Sequence, residues 1–153
     1  MNPPKQLLSA VVAVLLPLLA WTTSVGAQGY PVPQEGVWIA KDFRFQSGET
    51  MGEVKLAYTT IGQPSGEPVL VLHGTAGSAR SLLTPAFAGQ LFGSGQPLDA
   101  TKYFIIIPDA LGAGKSSKPS DGLKAKFPRY SYDDMVAAQH RLVTEGAVPQ
   151  AVV

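Results

Sequence analysis

The chain contains no cysteine, and it has two histidines and 15% charged residues among its 153 residues. The absence of cysteine excludes disulfides and a lipid-modified cysteine, so the fold must be held together by its apolar core alone. The two histidines have no paired spacing that would suit a metal site, and we expect neither a metal nor a cofactor. A net charge of +1 without a clustered basic face argues against nucleic acid as a partner.

The first 27 residues have the three parts of a secretory signal peptide. Lys5 supplies a positive charge, an apolar run follows over residues 7–20, and Val25-Gly26-Ala27 is a small-residue cleavage site. The run is shorter than the roughly 20 residues that span a bilayer. We therefore predict a signal peptide over residues 1–27, export to the periplasm or out of the cell, and no membrane span after cleavage. An uncleaved membrane anchor is the alternative.

The next segments are predicted to be extended. Residues 28–35 hold two prolines and a glycine and predict an extended lead-in, and residues 36–153 are long enough for one modest domain. Alternating apolar residues predict a strand over residues 37–45, and a second strand is predicted over residues 54–60 after the turn Ser47-Gly48-Glu49. Two strands joined so closely should pair antiparallel.

The hydrophobic pattern then changes from alternating to continuous. Residues 69–72 and 104–107 are apolar throughout, which is typical of strands covered on both faces in a parallel sheet. Between them, residues 81–92 have apolar positions at helical spacing, with Pro85 in the first turn of the predicted helix. A strand, a helix and a second parallel strand form a crossover unit. The chain is thus predicted to be α/β, with an antiparallel strand pair followed by parallel β-α-β units.

A polar loop and a further helix complete the predicted elements. The loop over residues 110–129 carries several lysines among glycine, proline and serine, which indicates a solvated segment. Structureless loops of this length are usually functional or mobile. Ser131 is suited to cap the following helix, whose first turn contains Asp133 and Asp134, and Gly146 is predicted to end it.

The glycine-rich turn after residues 69–72 is the candidate site. It reads His73-Gly74-Thr75-Ala76-Gly77. Acyl transfer through a tetrahedral intermediate needs N–H donors aimed at the developing oxyanion. Gly74 removes side-chain bulk, so that the backbone N–H of Thr75 can face a substrate, while His73, Gly74 and Gly77 shape the loop. The alternative is that these glycines only permit a tight strand-to-helix turn.

Five segments, in this order and at this spacing, extend the pattern beyond one motif: residues 72–78, 98–109, 112–119, 127–130 and 133–136. Together they resemble the homoserine O-acetyltransferase branch of the α/β-hydrolase fold family, over about residues 38 to 145. The resemblance implies a doubly wound sheet, a Ser-Asp-His triad and a small-molecule ester or acyl substrate. It transfers one catalytic element to this chain, the backbone donor at Thr75.

The expected nucleophile motif is missing from the sequence. No Gly-x-Ser-x-Gly follows Gly77, although this fold carries its serine there, followed by the acid and then the histidine. His73 and His140 both precede any such position, so we interpret His73 as fixing its loop and His140 as a helix-surface residue. We expect a partial α/β-hydrolase fold, truncated before the nucleophile strand and catalytically silent as this chain.

The remaining candidates are weaker. Asp109 caps turns in its loop or lines a substrate cleft, and Leu111 is a second cleft candidate. Gly112-Ala113-Gly114-Lys115-Ser116 is not a phosphate loop, because Asp109 stands where that motif needs glycine. We hypothesise an exported esterase or acyltransferase, with hydrolysis favoured because acetyl-CoA is an unlikely donor outside the cytoplasm. The alternative is a non-catalytic binding module, or one half of an assembly with a complementary C-terminal chain.

Overall fold

The computed structural model describes residues 29–147. The predicted signal peptide, residues 1–27, lies outside the described residues. The elements, in chain order, are β1 (Gln34–Arg44), β2 (Thr50–Ile61), β3 (Glu67–Leu70), α1 (Ala79–Leu82), α2 (Ala88–Leu91), β4 (Tyr103–Pro108), two 3₁₀ turns (Pro119–Asp121 and Lys124–Lys126), α3 (Tyr132–Arg141) and a π-helical turn (Leu142–Ala147). Within residues 29–147, no helix is long and apolar enough to cross a membrane.

The four strands form one mixed sheet in the order β1-β2-β4-β3. β1 and β2 pair antiparallel, with Gln34 opposite Thr60, and β2 also pairs antiparallel with β4. β3 runs parallel to β4, with Val69 opposite Ile105. The predicted antiparallel pair and the parallel β-α-β unit are therefore confirmed.

Both antiparallel strands are longer than the alternating pattern predicts. β1 begins at Gln34, so the last two residues of the predicted lead-in already belong to the sheet, and β2 runs from Thr50 to Ile61. The pairing explains this difference, because the ladder between the two strands continues as far as Arg44 opposite Thr50. Paired backbone extends a strand into residues whose side chains carry no apolar pattern.

The core has two parts. One contains residues of β1 and the turn after it, of β2, of α3 and its π-helical turn, and of the loop that follows β4: Ala40, Phe43, Phe45, Val54, Leu56, Leu111, Phe127, Ala138 and Leu142. The other packs β4 against α1, α2 and the segment between α2 and β4: Tyr30, Ile61, Ala79, Ala88, Phe92, Ala100, Ile105 and Ile107. The two-residue period of β4 sends Ile105 and Ile107 to the same part of the core.

The two continuous apolar runs are buried to different degrees. Residues 104–107 are buried throughout, as predicted for a strand covered on both faces. The prediction is wrong for residues 69–72, since Leu70 is 43% and Leu72 is 53% exposed. β3 is the last strand of the sheet within residues 29–147 and pairs with β4 on one side alone. A continuous apolar run therefore indicates that both faces of a strand need to be buried, but the residues that the structure describes leave β3 partly exposed.

The predicted helix over residues 81–92 is wrong. The structure has two single-turn helices there, α1 and α2, with Pro85 between them. Proline has no N–H and clashes with the preceding turn, so it interrupts a helix unless it lies in the first turn. The first helix begins at Ala79, directly after Ser78, which is earlier than the apolar spacing suggests. Pro85 consequently falls past the end of α1.

The prediction of the last helix is correct at its start and wrong at its end. Ser131 precedes α3, and its N–H and hydroxyl both donate to Asp134 Oδ2, at 2.8 and 3.1 Å. Gly146 does not end the helix, which continues as a π-helical turn to Ala147. A Cβ on Gly146 would lie 2.6 Å from the Trp38 ring. This glycine therefore allows close packing against β1 rather than a helix stop.

The turn between α2 and β4 is organised by Asp99. Its Oδ2 accepts the Gly95 N–H at 2.7 Å, and its Oδ1 accepts the Thr101 N–H and hydroxyl at 2.9 and 2.7 Å. These hydrogen bonds favour the carboxylate and lower the pKa of Asp99 to about 2. The carboxylate therefore stabilises the fold above the ordinary pKa of about 3.9, and this contribution is lost as pH falls through about 2.

We expect Asp99→Asn to be less stable than the parent chain at pH 6 and to converge with it near pH 2. The asparagine amide does not ionise. The free energy of unfolding of the variant therefore lacks the pH dependence that Asp99 adds to the parent between its lowered pKa in the folded state and its ordinary pKa. Urea unfolding of the full chain at a series of pH values measures this difference. Thr101→Val keeps the backbone donor and should fall between the two. Parallel pH curves for the parent and Asp99→Asn would contradict the role of this carboxylate.

Candidate functional site

A cleft of about 730 Å³ lies at the carboxyl ends of β3 and β4. Its walls come from the turn after β3, the loop after β4 and the first two turns of α3. The lining residues are Leu72, His73, Gly74, Thr75, Ala76, Ala110, Leu111, Gly112, Ala113, Tyr130, Ser131, Tyr132, Met135, Val136 and Gln139. The carboxyl edge of the strands is where open α/β sheets bind their ligands.

His73 holds two walls of the cleft together. Its Nε2 accepts the Ala110 N–H at 3.0 Å, and its Nδ1 lies 2.8 Å from the Gly74 carbonyl oxygen. A single neutral tautomer satisfies both contacts, with the proton on Nδ1. Both ring nitrogens are therefore occupied by backbone groups, which makes His73 a positioning residue for the turn that contains Thr75. His140, in contrast, is exposed on α3.

Thr75 is exposed and lines the cleft. Its backbone N–H donates no hydrogen bond to any other residue that the structure describes. The turn around it is closed by the bond from the Gly77 N–H to the Gly74 carbonyl, at 3.0 Å, and Ala76 adopts a φ of 59°. A donor without a protein partner at the edge of a cleft is available to a ligand oxygen.

The two glycines of this turn differ in what they permit. A Cβ on Gly77 would lie 3.0 Å from the Gly74 carbonyl oxygen and 3.2 Å from His73 Nδ1, so glycine keeps the turn tight. A Cβ on Gly74 would meet no atom of the described chain within 4 Å. A side chain at position 74 would therefore project from the open side of the turn, where a ligand would approach.

Asp109 does not line this cleft. The side chain is buried, Oδ1 accepts the Ala79 N–H at 2.6 Å, and Oδ2 accepts the Lys115 N–H at 2.7 Å. It borders a separate, smaller cavity of about 350 Å³. Of the two roles that the sequence leaves open, the structure shows the capping one, because backbone amides occupy both oxygens. Leu111 does line the cleft and is at the same time part of the core.

The serines near this site are structural. Ser116 is fully buried, accepts the Ala57 N–H at 2.9 Å and donates to the Asp109 carbonyl at 2.7 Å. Ser117 exchanges two hydrogen bonds with the backbone of Lys55. These contacts fasten the start of the loop over residues 110–129 to β2, so neither hydroxyl is presented to the cleft.

Comparison with known proteins places this geometry in a family. Residues 67–153, more than half of the chain, match the family model described as alpha/beta hydrolase fold. The chain belongs to the α/β-hydrolase fold family. The homoserine O-acetyltransferase of Methanohalophilus mahii is 32% identical over 122 residues, which cover 69% of this chain and 25% of that protein. The homoserine O-acetyltransferase of Solidesulfovibrio magneticus is 34% identical over 116 residues, 64% of this chain and 29% of that protein.

Solved structures agree with this assignment. A crystal structure of an acetylester hydrolase from Corynebacterium glutamicum is 25% identical, with a TM-score of 0.63, and the match covers 74% of this chain and 34% of that chain. The chain thus spans about a quarter to a third of the length of the relatives that it matches. The predicted resemblance and the partial α/β-hydrolase fold are both confirmed.

Sequence reasoning missed one wall of the α/β-hydrolase cleft. Tyr132, Met135, Val136 and Gln139 line it from α3, and Tyr130 precedes them. The four helix positions have the spacing i, i+3, i+4, i+7, which places them on one face. Three of these four residues are apolar, and an apolar stripe of this spacing ordinarily predicts a core-facing helix surface.

Proposed function

We propose that this chain supplies the oxyanion-binding part of a serine-dependent ester hydrolase. The observation that carries the proposal is the Thr75 N–H in the turn after β3, which has no partner among residues 29–147, in a member of the α/β-hydrolase fold family. In the reaction a serine oxygen attacks the ester carbonyl, and the Thr75 N–H donates to the negative oxygen of the tetrahedral intermediate. The alcohol leaves, and water then hydrolyses the acyl-enzyme.

The nucleophile is expected to come from a segment beside β3. The sequence contains no Gly-x-Ser-x-Gly after Gly77, and the outer edge of β3 has no partner strand within residues 29–147. A strand that carries the serine would cover Leu70 and Leu72 and place its elbow next to Thr75. We therefore propose that this chain alone does not turn over esters. An assembly of two complementary chains is the second candidate, favoured by the same uncovered edge.

Hydrolysis is proposed over acyl transfer, because we also propose that the protein is exported. Residues 1–27 have the pattern of a signal peptide, and acetyl-CoA is an unlikely donor outside the cytoplasm. Fractionation of cells that express the full chain tests the location. The protein is expected in the periplasm or the medium, with an amino terminus at Gln28.

The experiment begins with the DNA that follows the Val153 codon, translated in all three frames. A Gly-x-Ser-x-Gly followed by aspartate and histidine in any frame would supply the nucleophile and its two partners. That segment, or the corresponding part of the Corynebacterium glutamicum acetylester hydrolase if no frame encodes one, is then expressed as one polypeptide after the full chain. We refer to this product as the joined enzyme, and hydrolysis of p-nitrophenyl acetate is the measurement.

We expect the joined enzyme to hydrolyse the ester and either part alone to be inactive. Replacing the serine of the elbow by alanine is the matched control and should abolish turnover. A joined enzyme that unfolds cooperatively and is inactive would contradict the proposal. So would turnover by the chain alone that survives both Ser116→Ala and Ser117→Ala, because no triad would then be needed.

A further inference from the structure

We infer that His73 holds the Thr75 N–H in its donating direction, and that it does so only while its ring is neutral, so that acid uncouples the donor. The inference rests on the proposed function and adds a control of that site by pH. It depends on hydrogen bonds among residues that the structure describes, whichever segment covers the cleft.

The Gly74 carbonyl and the Thr75 N–H belong to one peptide unit. A trans peptide is planar, so its oxygen and its N–H point in opposite directions. Two donors hold the Gly74 oxygen, the His73 Nδ1–H at 2.8 Å and the Gly77 N–H at 3.0 Å. A carbonyl oxygen has two lone pairs and can accept both bonds. The His73 ring therefore fixes the direction of the Thr75 N–H through the peptide that joins Gly74 to Thr75.

The other ring nitrogen of His73 ties this peptide to the loop after β4. His73 Nε2 accepts the Ala110 N–H at 3.0 Å, which requires a nitrogen without a proton. Among the described residues, this is the one hydrogen bond between residues 72–78 and residues 109–113. An imidazolium ring has two donors and no acceptor, so a proton on Nε2 removes the bond. Histidine is the side chain whose charge ordinarily changes near neutral pH.

The charged groups on the surrounding elements do not take over either contact of His73. Residues 74–78 of the turn carry no charge. Asp109, which precedes Ala110, already accepts two backbone N–H groups, and so does Asp134 on α3. No hydrogen bond or ion pair joins His73 to a charged side chain among the described residues. The other titratable side chains around the cleft are Arg80, Lys115, Tyr130, Tyr132, Asp133 and His140.

The joined enzyme tests this inference through the pH dependence of kcat for p-nitrophenyl acetate. The triad histidine must be neutral to act as a base, so it alone gives log kcat an acid limb with a slope of about 1. Loss of the Thr75 donor costs a further factor of about 10²–10³. Below both titrations we therefore expect a slope that approaches about 2, because the triad histidine and His73 each lose their function on taking up one proton.

Two replacements by glutamine separate His73 from a general effect of charge. His73→Gln keeps an oxygen that can accept the Ala110 N–H and that does not titrate. Its kcat at neutral pH should stay within about tenfold of the parent and its KM within about twofold, and its limiting slope should fall to about 1. His140→Gln is the matched control, since it replaces the other histidine of the chain, which is exposed on α3. It should change neither kcat nor the slope.

A second pair of variants tests the link from His73 to Thr75. His73→Ala lacks both contacts and should lower kcat at neutral pH about 50-fold in the parent. In a Thr75→Pro background, where the donor is already gone, the same change should cost less than about threefold. Thr75→Pro with His73 intact should itself show a limiting slope of about 1. This variant leaves the ring in place, so it covers the case in which the His73 variants fail to fold.

The outcomes separate the inference from the proposed function. A joined enzyme that hydrolyses the ester with a limiting slope of about 1 upholds the proposed function and overturns the inference. A slope of about 2 that persists in His73→Gln or in Thr75→Pro overturns the inference as well, because the second proton then acts elsewhere. A folded joined enzyme without turnover at any pH overturns the proposed function itself.

Discussion

Thr75→Pro is expected to lower kcat of the joined enzyme by about 10²–10³-fold, the loss typical for removing one oxyanion donor. Proline has no N–H, so the substitution removes the backbone donor at Thr75, which lines the cleft and has no partner among the described residues. The second donor of the fold, the N–H after the nucleophile, would remain and leave residual turnover. KM should change little, because the bond strengthens as charge develops on the oxygen.

Thr75→Ala is the control that isolates the backbone from the side chain. It keeps the N–H and removes the hydroxyl, and we expect its kcat to stay within about threefold of the parent. Urea unfolding of the variants verifies that the turn is intact, since a collapse of the turn would lower stability as well as rate. Equal kcat values for Thr75→Pro and Thr75→Ala would exclude a donor role for this amide.

The sheet could be predicted from the sequence because its signals are local. Alternation over residues 37–45 and the apolar run over residues 104–107 reflect how many faces of each strand are covered. The helix between the parallel strands could not be placed correctly, because Pro85 fits either the first turn of a helix or its end. Where α1 begins, directly after Ser78, decides between the two. That start is stabilised by the bond from the Ala79 N–H to Asp109, 30 residues away, as well as by the local bond from the Ser78 N–H to Ser81 Oγ.

The site was predictable in part for the same reason. His73 and Thr75 belong to one contiguous motif. The apolar residues of α3 that line the cleft, in contrast, have the same spacing as residues on a core-facing helix surface. Solvent exposure distinguishes the two, and exposure is a property of the packed fold. Gly146 illustrates the converse, since its position suggests a helix stop, and its contact with Trp38 on β1 is invisible in the local sequence.

The second large effect is expected at Asp109, where Asp109→Ala should lower the free energy of unfolding of the full chain by about 3–5 kcal/mol. The carboxylate is buried and accepts the N–H groups of Ala79 and Lys115 at 2.6 and 2.7 Å. Alanine leaves both donors without a partner, and a buried N–H that is not satisfied costs about 1–3 kcal/mol. Urea unfolding measures the change.

Two variants separate the hydrogen bonds of Asp109 from a general loss of charge. Asp109→Asn keeps the shape and one acceptor oxygen, so its stability should fall between that of the parent and that of Asp109→Ala. Glu67→Ala removes an exposed carboxylate on β3 and should stay within about 0.5 kcal/mol of the parent. Because Asp109 precedes Ala110, whose N–H binds His73, the alanine variant of the joined enzyme should also lose activity through the turn that contains Thr75. Unchanged stability together with unchanged kcat in Asp109→Ala would refute this coupling between the two loops.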